Sequence, residues 1–357
     1  MKKILLIIEN LGSGGAERQL VGLAALLKER GFDVTVLTYF ANQFYEPFLN
    51  EKHIQYIYAP QLLNKWTRVG RLAKIIKKLA PDVVISFLPS VNISVCLTRL
   101  LTNYKLIVSE RSHTLNFGIT TKLQFLLYHM ATHVVANSYS EAQNIAEHFP
   151  LLRLKTLAIP NYVDLSRFSP VNLKEKRNGS IRLLCVGRII PTKNVLRFIE
   201  ALASVVKEGY KVECKWVGSM YDRVYCEAVK RRIRELDMEK HFILQNQTDD
   251  IVNEYHQADI FCLPSLIEGY PNVLVEAMSC GLPVVCSNVF ENPRIVKESI
   301  NGYLFNPKDT KDMSNAIKKC LSLMDTERQS IGRYNRLCIT KNNSSEAFVK
   351  QYISLFD

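Results

Sequence analysis

Two periodicities alternate along this chain. Short runs rich in Val, Ile and Leu, such as residues 3–8, Asp33–Thr38 and Val83–Phe87, read as strands buried on both faces. Residues 54–58, 106–109 and His133–Ala136 continue the series, each separated by a helix-length segment. A second series opens at 181–187 and runs through Val212–Val217, 242–244, 258–263, 283–286 and Gly302–Phe305. Helices are predicted over 195–208, 221–236 and 251–256, and again onward to about Cys338. Strand–helix alternation of this kind predicts an α/β chain with parallel sheets covered on both faces. The expected organisation is an N-terminal domain over 1–165, a linker over 166–180 and a C-terminal domain over 181–340. The last segment, 341–357, is amphipathic through Phe348, Tyr352 and Phe356, and is expected to pack back on the N-terminal domain.

A length of 357 residues suits two domains, each able to bury its own core. Composition, 47% hydrophobic and 22% charged, is that of a globular protein. The first apolar run stops at Glu9 with no cleavage site after it, so it reads as a strand and not a signal peptide. No stretch approaches the ~20 apolar residues of a spanning helix. Nine cysteines, an odd number without Cys-x-x-Cys, indicate a reducing cytosol with neither disulfides nor zinc. The net charge of +12 fits nucleic acid, an anionic membrane face or a phosphorylated ligand. The cations are scattered through amphipathic helices and no nucleic-acid module is present, so nucleic acid is not an expected partner.

Candidate chemistry sits where strands turn into helices. After the first strand, Glu9-Asn-Leu-Gly-Ser-Gly14-Gly15-Ala-Glu17 is a glycine-rich turn. It admits a tight turn without ligand, a dinucleotide fingerprint, or a lip that lets backbone approach a diphosphate or an acceptor. The glycine spacing and the lack of an acid after Leu37-Thr38-Tyr39 count against the second, and the third is preferred. Lys65–Leu79 is a basic amphipathic helix. Trp66, Val69, Leu72, Ile76 and Leu79 fit one face, and Lys65, Arg68, Arg71, Lys74, Lys77 and Lys78 supply the cations. A solvated face with snorkelling lysines is the commoner outcome for such a helix, and a patch for an anionic membrane surface is the alternative. His113, in Ser109-Glu-Arg-Ser-His, follows a strand end, where ligands meet an open α/β sheet. There it is either a plain loop residue or a group that hydrogen-bonds a sugar or donates to a leaving group, and its location favours the second.

In the second series, Arg188 and Lys193 stand directly after strand 181–187 and ahead of a helix. Two cations at a strand-to-helix turn form an anion site, suited to a diphosphate. Residues 263–287 hold Glu268 and Glu276 in a second loop-to-helix turn. Pro271 suits the first helical position and Gly281 the helix stop. Val273, Leu274, Ala277 and Met278 face the sheet, while Asn272, Glu276 and Ser279 line another stripe. Free backbone N–H groups at Glu268-Gly269-Tyr270-Pro271 offer a site for phosphate or a sugar hydroxyl.

Taken in order, these pieces resemble the retaining glycosyltransferases of family 4, which have the two-domain GT-B architecture: two Rossmann-like doubly wound domains facing a cleft. The resemblance covers nearly the whole length and implies that the N-terminal domain, 1–165, binds the acceptor and the C-terminal domain, 181–340, the nucleotide sugar. It rests on Gly-Gly-Ala-Glu17, Asn161-Tyr-Val-Asp-Leu-Ser-Arg-Phe168 and Gly187-Arg188 through Lys193-Asn194. The longest match is Pro264-Ser-x-x-Glu268-Gly-Tyr-Pro-Asn-Val-Leu-Val-Glu276-Ala-Met, followed by Gly281-x-Pro-Val. It implies that Arg188 and Lys193 neutralise the donor diphosphate, and that Glu268 with the backbone of Gly269, Tyr270, Pro271 and Asn272 holds donor-sugar hydroxyls. It further implies that Glu276 takes the ribose, that backbone near Asn246 meets the base, that Gly14 and Gly15 approach the donor, and that His113 serves the sugar or the acceptor. No Asp-x-Asp motif is present, so the cationic clamp is expected to replace a metal, with no cofactor.

Two departures from the family pattern stand out. Ile295 occupies a position that is commonly acidic, and His113 lies in Ser-Glu-Arg-Ser-His, not in the commoner short His motif. The Ser-Glu-Arg form looks like the branch that extends lipid-linked or surface glycans. The expected function is transfer of a hexose or N-acetylhexosamine from a UDP-sugar to such an acceptor, at the cytoplasmic face of the membrane. The alternatives are a donor of the GDP-mannose type, a nucleotide-sugar epimerase, and a catalytically inactive nucleotide-sugar-binding scaffold.

Overall fold

The computed structural model describes residues 1–171 and 179–357, so most of the lysine-rich half of the expected linker, 172–178, lies outside the described residues. The chain forms two compact units, Met1–Tyr162 with Ser345–Asp357, and Val163–Ser344.

The first unit is built on seven strands: β1 (Lys3–Ile7), β2 (Asp33–Thr38), β3 (Gln55–Tyr58), β4 (Val83–Phe87), β5 (Lys105–Glu110), β6 (His133–Ala136) and β7 (Thr156–Ala158). They lie parallel in the order β3-β2-β1-β4-β5-β6-β7. The helices are α1 (Gly15–Glu29), α2 (Glu46–Glu51), α3 (Lys65–Leu79), α4 (Pro89–Thr98), α5 (Ile119–Leu127) and α6 (Tyr139–His148). Strand side chains alternate between faces. Thus Ile4 and Leu6 of β1 enter a core with α1, whereas Leu5 and Ile7 enter a second core with α3, α4 and α5.

The second unit has six parallel strands: β8 (Ile181–Val186), β9 (Val212–Val217), β10 (Phe242–Gln245), β11 (Ile260–Leu263), β12 (Val284–Ser287) and β13 (Gly302–Phe305). Their order is β10-β9-β8-β11-β12-β13. The helices are α7 (Val195–Lys207), α8 (Arg223–Glu235), α9 (Ile251–Gln257), α10 (Asn272–Ser279), α11 (Asn292–Ile295), α12 (Thr310–Leu321) and α13 (Asp325–Asn342). Trp216 is buried in the core shared with α7 and α12, and its indole N–H donates to the Gly187 carbonyl at 2.8 Å.

The final helix, α14 (Ser345–Ile353), belongs to the first unit. Phe348, Val349, Tyr352 and Phe356 are all buried in the core that contains α1. Val163 N–H donates to Asn343 O at 2.9 Å and Phe168 is buried in the second unit. Residues 163–168 therefore belong to that unit, and the boundary falls at Tyr162, ahead of the expected 165. Among the described residues no helix is long and apolar enough to cross a membrane.

Two details of α3 differ from the sequence reading. Trp66, expected on the apolar face, is 97% exposed in the first turn, beyond reach of the core. Arg68, expected among the solvent cations, is buried. Its guanidinium donates to Leu62 O at 2.7 Å and Leu63 O at 3.3 Å and lies over the Tyr39 ring at 4.7 Å. Terminal carbonyls and an aromatic face replace the water a cation needs.

Candidate functional site

In the second sheet β8 has β9 on one side and β11 on the other. Chain direction across the sheet reverses there, and the loops at the carboxyl ends of two such strands part to leave a crevice. The turn leaving β8 ends in a 3-10 segment, Pro191–Lys193, with Asn194 in the left-handed region at φ 62°. Asn is among the few non-glycine residues that tolerate this conformation. The buried Asn194 amide donates to Pro264 O at 3.1 Å and Pro307 O at 2.8 Å. Leu266 N–H donates to Thr192 O at 2.8 Å. These bonds stitch the turn after β8 to the loop after β11.

The stitching brings together two of the residues singled out from sequence. Lys193 Nζ lies 2.5 Å from Glu268 Oε1, with the two side chains 18% and 9% exposed. Partial burial strengthens the attraction and makes loss of either partner costly, because the other charge is left unpaired. Arg188 is exposed at the end of β8 and takes no part in this pair.

The other donor-site candidates occupy varied positions. Pro271 caps α10 and does not open it, and Asn272 is the first helical residue. Gly269 and Asn272 are half-buried, and Tyr270 is buried with its hydroxyl bonded to the Asn343 amide. Glu276 and Ser279, expected on a separate polar stripe, are buried like the apolar side of the helix. The Tyr255 hydroxyl donates to Glu276 Oε2 at 3.0 Å, and the Ser279 hydroxyl donates to Phe168 O at 2.6 Å. Helix α10 is covered nearly all round, so each polar group on it needs a protein partner. Asn246 is exposed just past β10, and its side-chain oxygen accepts from Gln247 N–H at 2.9 Å. Ile295 is half-buried against the apolar core around α10, a packing role at the position where an acid is common. Glu291, one turn earlier, is a buried acid that the sequence reading did not single out.

Gly14, Gly15 and His113 belong to the first unit. Gly14 caps α1 and Gly15 opens it, both exposed. The nearest atoms that a Cβ at Gly14 would meet belong to the Glu17 side chain. Burial pushes the Glu17 carboxyl up, its own backbone hydrogen bond opposes this, and Glu9 adds to the rise. The Ser90 hydroxyl, in the first turn of α4, donates to Glu9, in the loop after β1. His113 Nδ1 lies 2.9 Å from Glu141 Oε2. Glu141, buried in the first turn of α6, also accepts from Thr114 N–H at 3.0 Å and the Thr114 hydroxyl at 2.6 Å. This carboxylate ties the histidine loop to α6. From sequence alone an acid in a first helical turn signals only a favourable helix dipole contact.

A family model described as "Glycosyltransferase Family 4" matches residues 13–167, and one described as "Glycosyl transferases group 1" matches residues 172–337. The chain is a member of glycosyltransferase family 4. Among relatives of this family 4 chain is an Escherichia coli UDP-Gal:alpha-D-GlcNAc-diphosphoundecaprenol alpha-1,3-galactosyltransferase, 32% identical over 46% of the chain and 44% of that protein. A Campylobacter jejuni GalNAc-alpha-(1->4)-GalNAc-alpha-(1->3)-diNAcBac-PP-undecaprenol alpha-1,4-N-acetyl-D-galactosaminyltransferase is 25% identical over 95% of the chain and 94% of that protein. Solved structures with the same fold include a glycosyltransferase from Rickettsia africae, TM-score 0.88 at 21% identity over 99% of this chain and 97% of that one. Another is Anabaena HepE in complex with UDP, TM-score 0.86 at 19% identity over 99% of both chains. The GT-B fold of this family 4 member is thus the expected pair of Rossmann-like parallel-sheet domains.

Proposed function

We propose that this family 4 member transfers a hexose or N-acetylhexosamine from a UDP-sugar to a lipid-linked or cell-surface glycan, with retention at the anomeric carbon and without a metal. The observation that carries the reading is the Lys193–Glu268 pair at the point where β8 and β11 part. In this reading the bond between the anomeric carbon and the β-phosphate oxygen breaks and its electron pair stays on that oxygen. Lys193, with Arg188, offsets the charge that develops there, a stabilisation concentrated in the transition state. Glu268 accepts from donor-sugar hydroxyls, and Glu276 from the ribose. The acceptor hydroxyl attacks the same face and gives its proton to the departing phosphate. His113, held at Glu141, serves the acceptor side, and the cations take the place of a metal. The names of the Escherichia coli and Campylobacter jejuni relatives support a lipid-linked acceptor, and HepE, crystallised with UDP, supports the uridine nucleotide. Such an acceptor places the enzyme at the cytoplasmic face of a membrane, peripherally bound.

Calorimetric titration with UDP and then GDP, without metal and with magnesium, tests this. The expected result is metal-free UDP binding that weakens about tenfold or more in Lys193→Ala. Binding of GDP in place of UDP would move the donor to mannose-type sugars. No binding of either nucleotide by a folded sample would overturn the proposed transferase reading.

A further inference from the structure

Between Lys52 and Ser140 the chain holds eleven Lys and Arg residues and two acids, Asp82 and Glu110. Glu110 is buried, and the Asp82 carboxylate accepts the Lys3 backbone N–H at 2.7 Å. Helices α3, α4 and α5, which cover one face of the first sheet, contain no acid at all. Lys65, Lys74, Lys77 and Lys78 on α3 and Lys122 on α5 are exposed. Cations without interspersed acids leave a net field on this layer, which calls for an anionic partner.

Helix α5 adds an exposed apolar component to this basic layer. Its inner side is anchored by the buried Phe125, followed by the buried Tyr128. Its outer side carries Ile119, Leu123 and Leu126, exposed by 87%, 56% and 62%. They fall at i, i+4 and i+7, which puts them in one line along the helix. Single exposed aliphatics are ordinary, but an aligned stripe marks a contact surface. Both α3 and α5 start where the chain leaves the carboxyl edge of the sheet, so exposed Trp66 and Ile119 lie at that edge. Leu115, also exposed, lies between His113 and α5. Outward aliphatics, a fully exposed Trp and long-stemmed cations without acids together fit the boundary between lipid headgroups and acyl chains.

We propose that α5, with the exposed side of α3, seats this protein on an anionic lipid bilayer. Ile119, Leu123 and Leu126 enter the acyl boundary, while Lys65, Lys74 and Lys122 meet headgroup phosphates. This deepens the lipid-linked-acceptor reading and rests on it, because the histidine loop runs directly into α5 and would lie at headgroup height.

The test is sedimentation of the full chain with vesicles of phosphatidylcholine alone and of equal parts phosphatidylglycerol and phosphatidylcholine. Binding is expected to the mixed vesicles, weakening about tenfold or more as salt rises from ~50 mM to ~500 mM. The triple change Ile119→Ser, Leu123→Ser and Leu126→Ser should weaken it about tenfold or more at fixed salt. Lys65→Glu with Lys74→Glu and Lys122→Glu should abolish the preference for phosphatidylglycerol. UDP titration of each variant shows that it is folded and tests the donor reading on its own. UDP binding without any vesicle binding by the wild type overturns the membrane proposal alone. So does vesicle binding unchanged in the apolar triple variant, or a wild-type oligomer that this variant turns into a monomer with vesicle binding intact. Vesicle binding that behaves as expected, without UDP binding, supports the membrane surface and overturns the donor reading alone.

Discussion

At the carboxyl end of β5, Glu110 is sealed among polar side chains. The Tyr128 hydroxyl donates to it, as do the amides of Gln124 at 3.1 Å and Asn92 at 3.2 Å. Burial raises its pKa from the usual 4.5 to about 7, the Tyr128 bond opposes the rise, and nearby Glu141 adds to it. The folded chain therefore holds a proton that the unfolded chain has released between about 4.5 and about 7. Stability should fall as pH rises through that window, by on the order of 3 kcal/mol, and level off above it. Urea midpoints at pH 5 and pH 8 should show this loss in the wild type and a much smaller one in Glu110→Gln. At this scale the sequence was partly legible. Lys193 and Glu268 could be found because hydrophobic periodicity locates strand ends, and ligands gather there. Their companions could not: Tyr255 is 21 residues from Glu276, and Tyr270 is 73 from Asn343. No local rule links such pairs. Nor could it be foreseen that Arg68 would be drawn inward by backbone carbonyls while Trp66 stayed outside.

Among elements, the strands were the most legible because four-to-six-residue runs of β-branched and aliphatic residues leave few other readings. The exception is β7, three half-buried edge residues with no alternation to betray them. Helix–helix fit was less legible. Gly281, at φ +78°, ends α10 as its sequence suggests. Gly332, inside α13, reads in isolation only as a weak helical position. Its reason is steric: a Cβ there would stand 1.9 Å from the Gly281 carbonyl oxygen. The two glycines let α13 settle against the end of α10, the helix that bears Glu276. Gly332→Ala should push them apart and cost on the order of 1–3 kcal/mol, despite the better helix propensity of Ala. Thermal melting should show this as a lowered transition, with UDP binding weakened if α10 shifts.

For the whole molecule, the division into two α/β units was legible from two runs of strand–helix alternation, and the return of the C-terminal segment from its apolar spacing. The placement of residues 163–168 was not, because only the Val163–Asn343 bond and the burial of Phe168 assign them. Phe348, Val349, Tyr352 and Phe356 complete the core around α1, and each such burial is worth ~1.5–3 kcal/mol. Removing residues 345–357 should therefore melt or unfold the first unit while leaving the second intact. Hydrogen exchange would report this as lost protection in β1 and α1 with β8 and β11 unchanged. The same discontinuity bears on synthesis. Tyr162 leaves the ribosome long before Ser345, and at ~5–20 residues per second the interval is roughly ten to forty seconds. During it the nascent first unit exposes an apolar groove along α1, and the second unit can close before the first. A chaperone that shields that groove should raise the yield of folded chain more than one acting after release.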